Sequence, residues 1–91
     1  MSILHITTPE DWEAAQAAGG LSDEPFLHLC TEAQLDFVLG RHFAGRTGLL
    51  LVEIDPAGLD IRWEVSEPGM DPFPHLYGFA PVSAAARITL L

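Results

Sequence analysis

Short apolar segments of strand length, separated by proline and glycine, make up most of this chain. Residues 2–7 alternate in polarity, which indicates a half-buried strand. The segment from Thr8 to Asp11 then supplies a helix cap, a proline at the first helical position and two acids in the first turn. Residues 26–30 alternate again, and Thr31 with Gln34 forms the capping box of a second helix. Two strand–helix units are therefore predicted to open the chain.

Each predicted helix carries an apolar face. In the first, Trp12, Ala15 and either Ala18 or Gly19 share one side, and the glycine pair at 19–20 ends the helix because glycine takes left-handed backbone angles without strain. A polar loop at 21–25 follows. The stripe of the second helix has the spacing i, i+3, i+4, i+7 and i+8. Its members are Leu35, Val38, Leu39, His42 and Phe43.

Only strands are predicted after the second helix. The near-continuous apolar run at 49–54 is typical of a central strand that is buried on both faces. The other predicted segments are a turn at 55–58, a strand at 61–65, an irregular proline-rich loop at 67–74, a short strand at 75–79 and a last strand at 85–91.

The strand at 61–65 is predicted to turn Ile61, Trp63 and Val65 inward, with Arg62 and Glu64 on the opposite face. The resulting order, β-α-β-α-β-β-β-β, favours an α+β fold with two helices packed on a mixed, mostly antiparallel sheet. A length of 91 residues predicts one domain over residues 1–91.

The charge balance excludes several classes of partner. Thirteen acidic residues face only four basic ones, all arginine, and the formal net charge is -9. Proteins that bind nucleic acid or anionic membranes need basic residues, so neither partner is expected. No apolar run approaches the roughly 20 residues of a membrane span, and no signal peptide is recognisable, so we expect a cytoplasmic protein. Its high apolar fraction is compatible with a monomer or a homodimer.

Histidines are the first candidates for chemistry. His5, His28 and His75 fall on predicted strands, where an imidazole can act as acid, base or ligand, or can simply bond a backbone carbonyl. Zinc sites usually contain closely spaced histidine pairs, which this chain lacks, so no metal is expected. Convergence of these three rings with Glu64 around a metal is kept as a distant alternative.

Two further features each have two interpretations. Cys30 precedes a helix N-terminus, which would lower its pKa and suit a nucleophile beside His28, but the favoured interpretation is a small apolar core residue. The segment from Phe73 to Gly78 is stiffened by proline and presents His75 and Tyr77 in the same phase. It is either part of a site or a structural turn.

These residues carry a family resemblance. The segments concerned are Leu4–Thr7, Trp12, Phe26–Thr31 with Gln34, Phe43–Gly45, Leu49–Asp55, Arg62–Glu64 and Phe73–Gly78. The two histidine segments, with the patterns F-[IL]-H-x-[SC]-T and F-P-H-[IL]-Y-G, are the most specific. Over nearly its whole length the chain resembles the bacterial family called domain of unknown function 952, although Cys30 and Pro25 replace a usual serine and glycine.

The resemblance implies an ADP-ribosyltransferase-like fold, in which a split β-sheet clamps NAD. By that resemblance His5 would hold a ribose, Phe26, Cys30 and Thr31 would form the element that packs on nicotinamide, and Glu64 or His75 would be the third position. His28 and Tyr77 would complete the catalytic and cofactor-binding sets respectively. The implied function is an enzyme that binds or cleaves NAD. The alternative is a non-enzymatic module that binds a small molecule or a protein.

Overall fold

Residues 3–91, which the computed structural model describes, form three antiparallel sheets and two α-helices. The helices are α1 (Pro9–Ala18) and α2 (Leu35–His42), and short 3₁₀ turns cover Glu32–Gln34 and Val82–Ala84. The strands are β1 (Ile3–Thr7), β2 (Gly20–Leu21), β3 (Leu27–His28), β4 (Cys30–Thr31), β5 (Leu50–Ile54), β6 (Asp60–Glu64), β7 (Phe73–Tyr77), β8 (Ala80–Pro81) and β9 (Ala85–Leu90). The α+β class and the two helices are confirmed.

The sheets are a four-stranded one in the order β4-β1-β5-β9, a three-stranded one in the order β3-β7-β6, and the pair β2-β8. Each pairing among residues 3–91 is antiparallel, so the predicted mixed pairing is wrong for this part of the chain. None of the helices in this range is long and apolar enough to cross a membrane.

Helix α1 begins and ends where local chemistry predicts. The Thr8 hydroxyl accepts a hydrogen bond from the Asp11 N–H at 3.1 Å, and Gly19 takes the left-handed conformation at φ 91°. Trp12 is buried and Ala15 half-buried, whereas Ala18 is exposed, so the apolar face is shorter than expected.

The segment predicted as one strand at 26–30 is divided between two sheets. Its first part, β3, pairs with β7, and its second part, β4, pairs with β1. Leu29 lies between them, buried, and its N–H donates to the Pro74 carbonyl at 3.2 Å. This crossing brings His28 and Cys30 onto different sheets that face one cleft.

The core lies between the two larger sheets. Ile3, Val52 and Ile54 of the four-stranded sheet form one buried cluster with Leu27 and Leu76 of the three-stranded sheet. The alternate positions of β5, such as Leu51, are only half-buried. Strand β5 is central, as predicted, but it is not fully buried on both faces.

Tertiary context explains the other differences. Trp63, predicted to point inward, is 47% exposed because β6 is the edge strand of its sheet, and Val65, also predicted inward, is 56% exposed just beyond the end of β6. Strand β7 begins at Phe73 and includes the buried Pro74, which was assigned to a loop. The prolines and glycine around it had suggested a break, yet β7 is the central strand of its sheet.

The strand pair β2-β8 was not predicted, and its first residue had been assigned to a helix end. It depends on the absence of a side chain at Gly20, where an added Cβ would lie 2.1 Å from the Ala80 carbonyl oxygen. Leu21, the second residue of β2, is buried rather than part of a polar loop.

Candidate functional site

The outer face of the three-stranded sheet holds most of the predicted site residues. Leu27 and Leu76 are cross-strand partners that point to the core, so the adjacent His28, His75 and Tyr77 point to the opposite face. His28 and His75 are themselves cross-strand partners on β3 and β7. Strand alternation therefore gathers residues that the sequence separates by more than forty positions.

A carboxylate anchors this face. One oxygen of Glu64 accepts hydrogen bonds from His75 Nδ1 at 2.9 Å and from the Tyr77 hydroxyl at 2.6 Å. The Tyr77 and His75 hydrogen bonds lower the pKa of Glu64, so this side chain is ionised at neutral pH. The same bond to Glu64 raises the pKa of Tyr77. Because a carboxylate only accepts, it holds His75 in the tautomer with the proton on Nδ1.

The second ring nitrogen of His75 is open to the cleft. His75 is only 4% exposed, and no buried side-chain nitrogen or oxygen in the described part of the chain lacks a hydrogen-bond partner. Nε2 has no such partner within residues 3–91, so it must retain contact with solvent. His75 lines the cleft described below, and Nε2 is the ring nitrogen that Glu64 does not use.

Phe26 fixes the plane of the His75 ring. The two rings stack with centroids 3.9 Å apart and planes inclined by 20°. Phe26 also contacts the rings of His28 and Tyr77, at centroid distances of 4.9 and 5.4 Å. The aromatic residue predicted to pack on nicotinamide is thus already packed on the protein's own rings.

Sequence reasoning did not assign a site role to Arg62. Its guanidinium carbon lies 4.2 Å from the centroid of the Tyr77 ring, and its Nε and Nη2 donate to the Asp60 carboxylate at 3.2 and 3.0 Å. The Asp60 hydrogen bonds raise the pKa of Arg62. The alternation of Asp60, Arg62 and Glu64 along one face of β6 was the available signal.

His5 reaches the site from the other sheet. Its Nδ1 lies 3.0 Å from the His28 carbonyl oxygen, and because a carbonyl only accepts, Nδ1 carries the proton. Burial lowers the pKa of His5 despite this hydrogen bond. Burial and the neighbouring His75 lower the pKa of His28. Both rings are therefore neutral at neutral pH.

A cleft of about 440 Å³ is lined by residues of the two larger sheets, of helix α2 and of the loop at 65–72. Four predicted site residues line it, namely His5, His28, Cys30 and His75. The other predicted site residues do not line it. Two of them, Glu64 and Phe26, contact His75, and Tyr77 and Thr31 also lie outside the lining. The volume is within the usual range for small-molecule sites.

Helix α2 and the loop at 65–72 form the outer wall of the cleft. Arg41 of α2 makes an ion pair with Glu67 of the loop, and Phe37 contacts Phe73 with ring centroids 6.2 Å apart. The apolar stripe of α2 is half-buried, while His42, assigned to that stripe, is exposed. Of the predicted stripe, Val38, His42 and Phe43 line the cleft, whereas Leu35 and Leu39 do not.

Cys30 lines the cleft, but burial raises the pKa of its thiol to about 11. The expectation that the adjacent helix N-terminus would lower this pKa is wrong, because loss of hydration outweighs it. The thiol stays protonated at neutral pH and is a poor nucleophile. This agrees with the favoured interpretation of Cys30 as a core residue.

Thr31 has a structural role. Its hydroxyl accepts from the Gln34 N–H at 3.3 Å, and the Gln34 side chain accepts from the Thr31 N–H at 3.0 Å. The capping box is confirmed, and Gln34 also donates to the Pro72 carbonyl at 2.8 Å, which ties the helix start to the loop at 65–72.

Replacing Thr31 by alanine is expected to lower the free energy of unfolding by about 1 kcal/mol, because the 3₁₀ turn loses its side-chain cap. Urea denaturation measures this loss. Thr31→Ser is the matched control, since it keeps the capping hydroxyl. If Thr31→Ala instead leaves stability unchanged and abolishes ligand binding, the catalytic assignment of Thr31 stands and the structural one fails.

Stability should also fall on mild acidification. His5 and His28 have pKa values below the ordinary 6.5, so the unfolded chain binds more protons than the folded one as the pH falls through 6.5. Their contribution is complete above pH 6.5 and is lost below it. The lowered pKa of Glu64 adds a further loss of stability below 4.5.

Urea midpoints measured from about pH 8 to about pH 5 test this expectation. His5→Gln and His28→Gln should each flatten the dependence between these limits. A midpoint that rises on acidification would contradict the assigned direction of both shifts.

Metal binding has no evident site in this region. Among residues 3–91, no three side chains of histidine, cysteine, aspartate or glutamate are arranged to hold a metal ion. One nitrogen of His75 and one of His5 are used within the protein, by Glu64 and by the His28 carbonyl respectively.

Comparisons with known proteins identify the family. A crystal structure of protein CC0527 from Caulobacter crescentus matches with a TM-score of 0.87 and 30% identity, covering 100% of this chain and 86% of that one. The solution NMR structure of CC0527 gives a TM-score of 0.83 and 32% identity, covering 99% and 84%. A comparison with curated proteins gives no match. Residues 6–88 match the family described as Protein of unknown function (DUF952), and the chain therefore belongs to that family.

Proposed function

We propose that this protein is a small-molecule enzyme in which His75 transfers a proton at the cleft. The observation that supports this best is the arrangement around His75: a buried ring, stacked on Phe26, anchored by Glu64 through Nδ1 and open at Nε2. An imidazole held in one tautomer by a carboxylate is a general base with a defined direction of proton transfer.

The reaction class that fits is cleavage of an N-glycosidic bond of the nicotinamide type, as the family resemblance suggests. The bond from ribose to the ring nitrogen breaks with its electron pair retained by the nitrogen, so neutral nicotinamide leaves. Water adds to the oxocarbenium-like carbon, and His75 Nε2 takes the proton that this water releases. Glu64 is a positioning residue that stabilises the imidazolium formed.

The neutral histidines at the cleft supply orientation. His5 donates through Nδ1 to the His28 carbonyl, which leaves its Nε2 as an acceptor for a ligand hydroxyl. His28 is exposed next to it. Placement of a sugar by such hydrogen bonds lowers the barrier by restricting its orientation.

A binding module without chemistry is the second candidate, and specific observations favour it. Thr31 is used in a helix cap, and Phe26 is packed against the protein's own rings. Two positions assigned to the nicotinamide element by resemblance are therefore occupied structurally. A ligand could bind the cleft with His75 acting only as a hydrogen-bonding group.

Thermal unfolding with millimolar NAD, ADP-ribose and nicotinamide separates the two candidates when combined with chromatographic detection of nicotinamide release. Native-state binding at about 100 times Kd stabilises by about 2.7 kcal/mol, which shifts the midpoint clearly. A shift with NAD and release of nicotinamide, both lost in His75→Gln, would support the enzyme. A shift without release favours the module, and no shift with any of the three ligands would contradict the proposed enzyme and leave only a module for another partner.

Glu13→Gln is the matched control for these measurements, because Glu13 is an exposed residue of α1 outside the cleft. It introduces a glutamine away from the cleft. Any effect that it shares with His75→Gln therefore does not arise at the site.

A further inference from the structure

The charges that line the cleft are few and mostly negative. Asp23 and Glu67 are the two carboxylates, and Arg41 is the one guanidinium among the described lining residues. Arg41 is already paired with Glu67, so its positive charge is neutralised where it stands. One carboxylate, Asp23, is left without a compensating cation at the cleft wall.

The other arginines are placed elsewhere. Arg62 is bound to Asp60 on the three-stranded sheet, and Arg46 stacks over Phe43 at 5.5 Å. Arg87 lies on β9, opposite Glu53 of β5. The chain contains no lysine, and its net charge is -9, so the long-range potential adds to the negative field of the cleft.

Four histidines line the cleft, and two of them do not reverse this sign. Burial lowers the pKa of both His5 and His28, so these two rings carry no positive charge at neutral pH. Glu64 stands directly behind His75 as a further carboxylate. A phosphate inside the cleft would lose its hydration, and the one arginine among the described lining residues, Arg41, is already paired with Glu67, so its burial there would be costly.

The wall of the cleft contains two aromatic rings. Phe37 and Phe73 line it side by side, and aromatic faces attract cations, as carboxylates do. The Arg41 guanidinium carbon already lies 5.8 Å from the centroid of Phe37, so we expect a cationic ligand ring to pack on the Phe73 side of this wall. The oxidised nicotinamide ring of a nucleoside is such a cation. The enclosed volume of about 440 Å³ is small for a dinucleotide but adequate for a ring and one sugar.

We infer that the part of the ligand held inside the cleft is a phosphate-free, cationic N-glycoside, and that any phosphate of a larger substrate stays outside. This inference rests on the proposed function and specifies its substrate class. It predicts that nicotinamide riboside binds about tenfold more tightly than its 5′-phosphate, because one phosphate adds unfavourable charge near the cleft carboxylates. NAD should bind no more tightly than the riboside.

Calorimetric titration at about pH 8, where an unperturbed imidazole is neutral, compares nicotinamide riboside, its 5′-phosphate and NAD. The decisive variant is Glu67→Gln, which removes one carboxylate and releases Arg41 from its ion pair. Glu67 is half exposed and its ion pair contributes little to stability, so the fold should persist. The preference for the riboside should shrink to a few-fold in this variant and stay unchanged in Glu13→Gln.

The outcomes are distinguishable. Tighter binding of NAD or of the phosphorylated nucleoside than of the riboside, with dependence on His75, would overturn the inference and leave the proposed function standing. A loss of phosphate affinity in Arg41→Gln would assign Arg41 as a phosphate ligand, which also overturns it. Absence of binding for all three ligands would contradict the inference together with the proposed function.

Discussion

Glu64→Gln is expected to lower the rate of nicotinamide release by about 100-fold, the low end of the range for a positioned acid or base. Glutamine keeps the shape of the side chain but removes the negative charge of the group to which His75 Nδ1 and the Tyr77 hydroxyl donate hydrogen bonds. The imidazolium formed during proton transfer then lacks its counterion. Initial rates of nicotinamide release under saturating substrate measure the effect, with Glu13→Gln as the control.

A second readout separates positioning from simple damage to the fold. Nitrogen chemical shifts of the His75 ring report which nitrogen carries the proton, and the wild-type protein should show the Nδ1–H form that the Glu64 contact imposes. Glu64→Gln should yield a mixture of tautomers. Since the amide oxygen still accepts hydrogen bonds, unfolding by urea should shift little. An unchanged rate with a changed tautomer population would contradict the proposed role of His75.

His75→Gln provides the complementary test. It removes the proton acceptor, while the glutamine side chain still fills part of the space beside Phe26. The rate of nicotinamide release should therefore fall at least as far as in Glu64→Gln. Because the two residues act as one unit, the double variant should be little slower than either single variant. Additive losses would show that the residues act independently.

Much of the fold follows from short-range signals. The cap at Thr8 and the capping box at Thr31 are fixed by bonds between residues close in sequence, and the alternation in β1 can be read from five consecutive residues. Such signals locate elements before any tertiary contact forms. They explain why the start of α1 and the order of the main strands could be predicted, whereas the Thr31 box opens a 3₁₀ turn and α2 itself begins only at Leu35.

Long-range pairing accounts for the differences. The division of residues 26–31 between two sheets depends on β1 and β7, which no local pattern in that segment reveals. Pro74 is tolerated in a central strand because it lies one position beyond the residues of β7 that pair with β3. At that position only its carbonyl is needed, and it accepts the hydrogen bond of the Leu29 N–H. The β2-β8 pair requires the close approach at Gly20, which is a property of the assembled fold.

The candidate site shows the same division. The three histidines on strands could be identified as candidates because an imidazole can act as an acid, a base or a ligand, and all three line one cleft. Glu64 was suspected through the resemblance, yet its partners depend on the register of β6 against β7. The Arg41–Glu67 pair joins residues 26 positions apart, and nothing in either segment predicted it.

Leu76→Ala is expected to have the largest effect on stability, a loss of about 3 kcal/mol. Leu76 is 1% exposed, belongs to the cluster that joins the two larger sheets, and pairs with Leu27 across β3 and β7. Truncation removes buried apolar surface and leaves a cavity, for which losses of about 2–5 kcal/mol are usual. A domain of this size has roughly 5–14 kcal/mol in total, so the loss is a large share.

The effect of Leu76→Ala should reach the site as well, because Leu76 lies between His75 and Tyr77 on β7. A cavity in the core would loosen β7 and weaken the hydrogen bonds of both side chains to Glu64.

Urea denaturation measures the free energy of unfolding. Leu90→Ala on β9 is the matched control, since Leu90 is 69% exposed and its replacement should change this free energy by less than about 0.5 kcal/mol. Leu76→Met keeps most of the volume and should cost less than about 1.5 kcal/mol. If Leu76→Ala loses no more than Leu90→Ala does, the two sheets do not share the core described above. The rigid placement of His75 would then need another explanation.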